Sequence, residues 1–367
     1  MGAIKARDFG TTSDGERFSL YTLTNERGMS AGITDLGGCI VSLCVPDKDG
    51  TPVDIELGYD STAGYAVNRP NLGAPIGRYA NRIGGASFVL DGKRYDLEPN
   101  DHGINNLHSG SARWRLRRWS VLEASQDNGG SRIVLHLSSP DGDQGFPGAC
   151  ETTLTYELTN DGALAITYEV LPSACTVVNM TNHSYFNLNG YASGTVAGHV
   201  AQIDAEAVTA VDENLIPTGK LVAVDGTPFD LREPKALGLG LASGDPAIEA
   251  AGGYDHNYAL RPGTPQPSDV GFVGALRHVA HVRGDKTGIV MDVATDLPGM
   301  QLYTGNHVGG EHGKGGSVTI DHGAFCLETQ FFPDAVNHPE FAQPVFGPEK
   351  PYRSRTIYSF STEGVAS

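Results

Sequence analysis

Thr153-Leu154-Thr155-Tyr156-Glu157-Leu158, then Asn160-Asp161-Gly162, then Leu164-Ala165-Ile166-Thr167-Tyr168-Glu169-Val170: two runs alternate apolar with small or polar side chains on either side of a turn tolerant of positive φ. Successive side chains leave a strand on opposite faces, so this alternation predicts two half-buried strands joined in a tight antiparallel hairpin. Upstream, Arg132-Ile133-Val134-Leu135-His136-Leu137 carries the same period. Asp91-Gly92 separates Ser87–Leu90 from Lys93–Leu97, and Asp49-Gly50 precedes the strand-like run Thr51–Leu57. No stretch between strands is long and amphipathic enough to supply a series of βαβ crossovers. The reading is an all-β fold with few helices, a large antiparallel sandwich. Arg261–Asp269, rich in Pro and Gly, reads as a long surface connection inside one domain spanning residues 1–367.

With 39% hydrophobic residues in 367, the chain has enough apolar surface to fold rather than stay disordered. Its formal charge of −17 repels polyanions, so neither nucleic acid nor an anionic membrane is expected as a partner, while a neutral small molecule is compatible. Met1 to Ala6 lacks the apolar run of a signal peptide, and no later stretch approaches membrane-spanning length. Cys39, Cys44, Cys150, Cys175 and Cys326 are odd in number and dispersed, which argues against a disulfide framework or a zinc site. The expectation is a cytoplasmic protein without a cofactor.

Two glycine-rich stretches fail as nucleotide motifs. Gly309-Gly310-Glu311-His312-Gly313-Lys314 is one residue short of a phosphate loop, and Gly315 stands where Ser or Thr would hold magnesium; it reads as a flexible surface hairpin. Gly238-Leu239-Gly240-Leu241-Ala242-Ser243-Gly244 misses the dinucleotide fingerprint by one position.

The informative residues are polar groups crowded into strand-like or turn-like segments. They are Gly77–Ile83, Asn105–Gly110, Val178–Asn187, Gly253–Asn257, Pro298–Asn306 and Leu327–Asp334. Burying so many amides, imidazoles, guanidiniums and carboxylates costs free energy unless they pair with one another or with a ligand, and a sugar offers a matching ring of hydroxyls. Each has an ordinary explanation when taken singly. His183 reads as a satisfied core histidine, Glu328 as a solvent-facing strand residue, Arg82 as the partner of a carboxylate such as Asp255, and Asn81 as a turn former.

Together the six segments resemble the galactose mutarotase (aldose 1-epimerase) family. The similar runs are Gly77-Arg78-x-Ala80-Asn81-Arg82-Ile83, Asn105-x-Leu107-His108-x-Gly110 and Asn179-x-Thr181-Asn182-His183-Ser184-Tyr185-Phe186-Asn187-Leu188. They continue with Tyr254-Asp255-His256-Asn257, Pro298-Gly299-x-Gln301-x-Tyr303-Thr304-Gly305-Asn306 and Leu327-Glu328-Thr329-Gln330-x-x-Pro333-Asp334. The resemblance implies one β-supersandwich and an isomerase that interconverts the α and β anomers of a hexose such as galactose or glucose. It implies Glu328 as general base and His183 as general acid, the latter protonated in the free enzyme. Asn81, Arg82, His108, Tyr185, Asp255 and Gln301 would hold the sugar hydroxyls. The chain departs from the family at Asn68-Arg69-Pro70-Asn71-Leu72, Ser109, His307 and Phe331-Phe332, all beside presumed sugar contacts, so the preferred aldose stays open.

Three alternatives stand beside this reading. A non-catalytic carbohydrate-binding module on the same scaffold would need no matched acid and base. A hexose-phosphate epimerase of related fold should want a basic pocket, and no Lys/Arg cluster flanks the six segments. A metal-dependent sugar isomerase would use His108, His183, His256 and His307, among which no pair has usual ligand spacing.

Overall fold

The computed structural model describes residues 2–363; Met1, the first residue of the stretch read for targeting signals, and residues 364–367 lie outside them. The hairpin predicted around Asn160-Asp161-Gly162 forms, with strands Cys150–Thr159 and Ala163–Pro172 pairing antiparallel from Cys150 opposite Pro172 to Leu158 opposite Leu164. These strands lie in a ten-stranded antiparallel sheet that runs in space from Gly2–Ala3 through Gly130–Ser139, Tyr352–Thr362 and Ile289–Thr295 to Lys235–Ala236. Against it lie two five-stranded sheets. One holds Ala6–Thr11 through Pro52–Asp54; the other runs Pro217–Ala223, Ala205–Val211, Asp255–Leu260, Gly299–Tyr303 and Cys326–Gln330. The three α-helices among the described residues are no longer than six residues.

The core fills the space between these layers. Ile133, Leu135, Leu154, Ile166 and Met291 from the large sheet meet Leu23, Ile33 and Leu43 from one small sheet and Tyr258, Met300, Leu302 and Leu327 from the other. Three large-sheet tyrosines also donate hydrogen bonds across the core to backbone carbonyls: Tyr156 to Gly38 at 2.8 Å, Tyr168 to Thr181 at 2.9 Å and Tyr358 to Leu327 at 3.0 Å. Buried hydroxyls need such partners, and two of these carbonyls lie within two residues of His183 and Glu328.

The Arg261–Asp269 connection links strands Asp255–Leu260 and Arg277–Arg283, as read. The Gly309–Lys314 reading needs correction. Lys314 is buried, its Nζ lies 2.6 Å from the Asp54 carboxylate and donates to the Val41 carbonyl at 2.8 Å, so the loop is anchored rather than free. A buried ammonium requires that pairing, which local sequence does not reveal.

Candidate active site

Period two builds the floor of the site. Directly opposed residues on antiparallel neighbours share a face, as do residues two apart on one strand. Gln301 stands opposite both Asn257 and Glu328, and Tyr303 stands opposite both Asp255 and Cys326. Asp255, Asn257, Gln301, Tyr303, Cys326 and Glu328 therefore share one polar face. The alternate positions Met300, Leu302 and Leu327 point into the core. His183 approaches from the short strand Thr181–His183, held in register by pairing with Ala74–Ile76.

His183 Nε2 lies 3.7 Å from Glu328 Oε1, and both side chains are almost wholly buried. The His183 ring stacks on Tyr185 at 4.9 Å between centroids and meets the His108 ring edge-on at 5.5 Å. Asn81 and His108 sit in tight turns at φ 62 and 52 that lock together: His108 N–H donates to the Asn81 carbonyl at 3.0 Å, and Asn81 N–H donates to His108 Nδ1 at 3.1 Å. Arg82 Nε donates to Asp101 at 3.1 Å, with Nη1 3.8 Å from Asp255 Oδ2. These groups line a cleft of roughly 470 Å³, ample for a monosaccharide. A larger hollow of about 650 Å³ around Phe272, Phe331 and Phe346 lacks a carboxylate–imidazole pair.

Burial pushes Glu328 well above the usual carboxylate range; nearby Asp255 adds to the shift and Arg82 opposes it. Burial lowers His183 to about 3, opposed by its own backbone and assisted by Arg113 and Arg115. His108 is likewise driven well below the usual imidazole range, chiefly by burial and then by His183. The expectation of a protonated His183 in the free enzyme is therefore corrected. Although 3.7 Å is within ion-pair range, it is too long for a hydrogen bond, and desolvation of both partners by burial outweighs their attraction. The resting pair is a neutral imidazole beside a carboxyl group with raised proton affinity.

Seven of the eight residues implied by the resemblance line the cleft: Asn81, Arg82, His108, His183, Tyr185, Asp255 and Glu328. Gln301 does not. Its amide donates to Asp255 Oδ1 at 2.6 Å on the face it shares with Glu328, and its buried Oε1 has no hydrogen-bond partner. Tyr185 lines the cleft, but its hydroxyl donates to the Pro70 carbonyl at 3.0 Å, leaving the oxygen lone pairs for a ligand. The expected pairing of Arg82 with Asp255 is present; the closer partner Asp101 had no local signal.

Sequence reading also missed Arg113, and it placed Asn71 beside the presumed sugar contacts without its guanidinium partners. Arg113 donates to Asn71 Oδ1 at 2.7 Å and to the Gly110 carbonyl at 3.0 Å, and Arg115 reaches the same Asn71 oxygen at 2.8 Å. With Arg69 and Arg82 at the wall, three guanidiniums reach a cleft expected to lack a basic cluster. Arg113 lies between motif segments, so only chain folding brings it there.

One nitrogen from each of His108 and His183 and one Glu328 oxygen lie within 4.8 Å of one another, a spacing that could hold a metal ion; the two histidines belong to the four weighed for a metal-dependent isomerase, whereas Glu328 was not among them. The hydrogen bonding fits a sugar hydroxyl better. His108 accepts at Nδ1, so its neutral ring carries the proton at Nε2 and presents a donor to the cleft in place of a ligating lone pair.

Residues 19–359 match the aldose 1-epimerase family profile. Galactose mutarotase from Homo sapiens is 40% identical over 366 residues, covering 98% of this chain and 99% of its own. Aldose 1-epimerase from Escherichia coli strain K12 is 37% identical over 352 residues, covering 95% and 97%. The solved structure of an aldose epimerase homologue from C. elegans superimposes with a TM-score of 0.83 at 26% identity, covering 94% of this chain and 99% of that one. With this match over nearly its whole length, the chain belongs to the aldose 1-epimerase family.

Proposed function

We propose that the protein is an aldose 1-epimerase, an isomerase that interconverts the α and β anomers of a hexose such as galactose or glucose. The observation that carries the reading is the Glu328–His183 pair, 3.7 Å apart and buried on the floor of a monosaccharide-sized cleft. Glu328 takes the proton of the anomeric hydroxyl as the bond from C1 to the ring oxygen breaks, and His183 Nε2 delivers a proton to that oxygen. The open aldehyde turns about C1–C2 and recloses on its other face with both transfers reversed. No electron is gained or lost.

Because burial raises the proton affinity of Glu328 and lowers that of His183, a proton shared by the pair favours the carboxyl group, and its transfer to Nε2 gives the imidazolium–carboxylate form. Arriving sugar hydroxyls restore hydrogen bonds that burial removed, which favours the charged form that reacts. A raised carboxyl affinity also makes Glu328 a stronger base near neutral pH. Arg82, His108 and Asp255 hold hydroxyls around the ring, Asn81 sets the His108 turn, and Gln301 steadies Asp255.

Residues 1–367 are read as one domain, supported by the family match over 19–359 and by a large sheet that combines Gly2–Ala3 with Tyr352–Thr362. No helix among the described residues is long and apolar enough to cross a membrane. All five cysteines are free, which supports a reducing, cytoplasmic setting.

The decisive measurement is the optical rotation of freshly dissolved α-galactose and α-glucose, with and without protein and after exhaustive chelation. Equilibration accelerated equally before and after chelation is expected. No acceleration with any aldose removes the reading; activity lost to the chelator and restored by a divalent ion favours metal-dependent chemistry.

A further inference from the structure

Glu328 and Cys326 are two residues apart on strand Cys326–Gln330 and so project from the same face. While Glu328 faces Nε2 of His183, Cys326 Sγ lies 3.5 Å from Nδ1 on the other side of that ring. Both Cys326 and His183 are buried. Burial, helped by Glu328 and Glu56, keeps Cys326 a thiol by pushing its proton affinity well above the usual range. The backbone of His183 itself also interacts with the ring in the sense that favours a ring proton. The thiol sulfur can accept from a protonated Nδ1 or donate to a bare one, and the backbone contribution favours the protonated ring nitrogen.

We propose that Cys326 is a positioning residue: its sulfur accepts a hydrogen bond from Nδ1–H of His183, which holds Nε2 as the nitrogen that exchanges a proton with the substrate. An imidazole relays a proton through one nitrogen only if the other keeps its hydrogen, and the group facing the second nitrogen selects that tautomer. Sulfur is a weak acceptor. It orients the ring without stabilising the imidazolium as a carboxylate would, in keeping with a His183 that rests neutral. Packing supplies the remaining constraint, since the ring lies against Tyr185 and meets Tyr303 edge-on at 6.2 Å. One strand thus carries both the base and the group that aims its partner.

The inference rests on His183 as the proton-transfer partner of Glu328, and its test has a readout independent of turnover. In ¹⁵N-histidine-labelled enzyme without substrate, His183 is identified by the signals that vanish in His183→Asn. Those signals are expected to show a protonated Nδ1 and an unprotonated Nε2, with tautomers mixing in Cys326→Ala. Turnover in Cys326→Ala should fall about tenfold with KM within twofold, and Cys326→Ser, which restores an acceptor, should recover to within about threefold of the parent. A Nε2–H tautomer in the parent overturns the proposal, as does a Cys326→Ala enzyme with unchanged tautomer and kcat. If Cys326→Ala does not fold, the parent spectrum and the Ser variant decide. Full activity in His183→Asn alongside the expected tautomer would instead sink the acid assignment and leave the sulfur contact standing.

Discussion

At the residue scale, the burial that makes Glu328 a useful base also makes it a strained member of the fold. Its Oε2 is buried without a hydrogen-bond partner, as is Gln301 Oε1 beside it. Because its folded proton affinity is raised, the cost of Glu328 is absent below the ordinary carboxylate range and grows as pH rises through the folded value. Replacing it with Gln keeps the shape and removes that charge. Glu328→Gln should lose at least roughly 10² in kcat, still bind galactose by calorimetry, and resist urea at pH 8 no less than the parent. Normal mutarotation by the folded variant would take the carboxylate out of the mechanism, and clear destabilisation at pH 8 would contradict the electrostatic account. Glu328 and His183 were legible as candidates because they stand inside motif segments. Their charge states were not, since desolvation depends on everything packed around them.

At the element scale, the site depends on how the short strand Thr181–His183 is tied in. Gly73 N–H donates to the His183 carbonyl at 3.1 Å, and the Gly73 carbonyl accepts from Ile40 N–H at 2.9 Å. Gly73 has φ 64, and a Cβ there would collide with the Ile40 carbonyl oxygen, a backbone atom with little freedom to move. Gly73→Ala should therefore cost at least about 2 kcal/mol of stability and reduce kcat more than KM by displacing His183. Parent-like thermal unfolding and kinetics would show that this link does not hold the strand. The strands themselves were legible: Asn160-Asp161-Gly162 turns where alternation stops, with Gly162 at φ 94. The anchoring of the Gly309–Lys314 loop was not legible, because Asp54 and Val41 are distant in sequence from Lys314.

At the scale of the whole molecule, buried imidazoles link stability to pH. His199 is fully buried, accepts the Leu188 N–H at Nε2 at 3.0 Å, and is lowered to about 4, chiefly by burial. Its folded value lies below the unfolded 6.5, so the unfolded chain gains a proton first as pH falls, and stability is lost from about 6.5 downward. Between pH 6.5 and 5 this one group should cost on the order of 2 kcal/mol. Asp296, raised to about 6 chiefly by burial, acts in the opposite sense over the same range. The test is therefore a difference: urea unfolding at pH 7 and pH 5 should show a smaller acid-induced loss in His199→Gln, whose amide oxygen can still accept from Leu188. An unchanged pH dependence would mean that His199 titrates normally in the fold.

The β-rich architecture and the family were legible before folding, because alternation, turn residues and the order of motif segments are local properties written along the chain. Folding alone pairs the Gln301 amide with Asp255, brings Arg113 onto Asn71 at the cleft wall, and leaves His183 neutral with Cys326 behind it. Those outcomes depend on distances and desolvation summed over residues far apart in sequence, and such sums exist only once the sheets have packed.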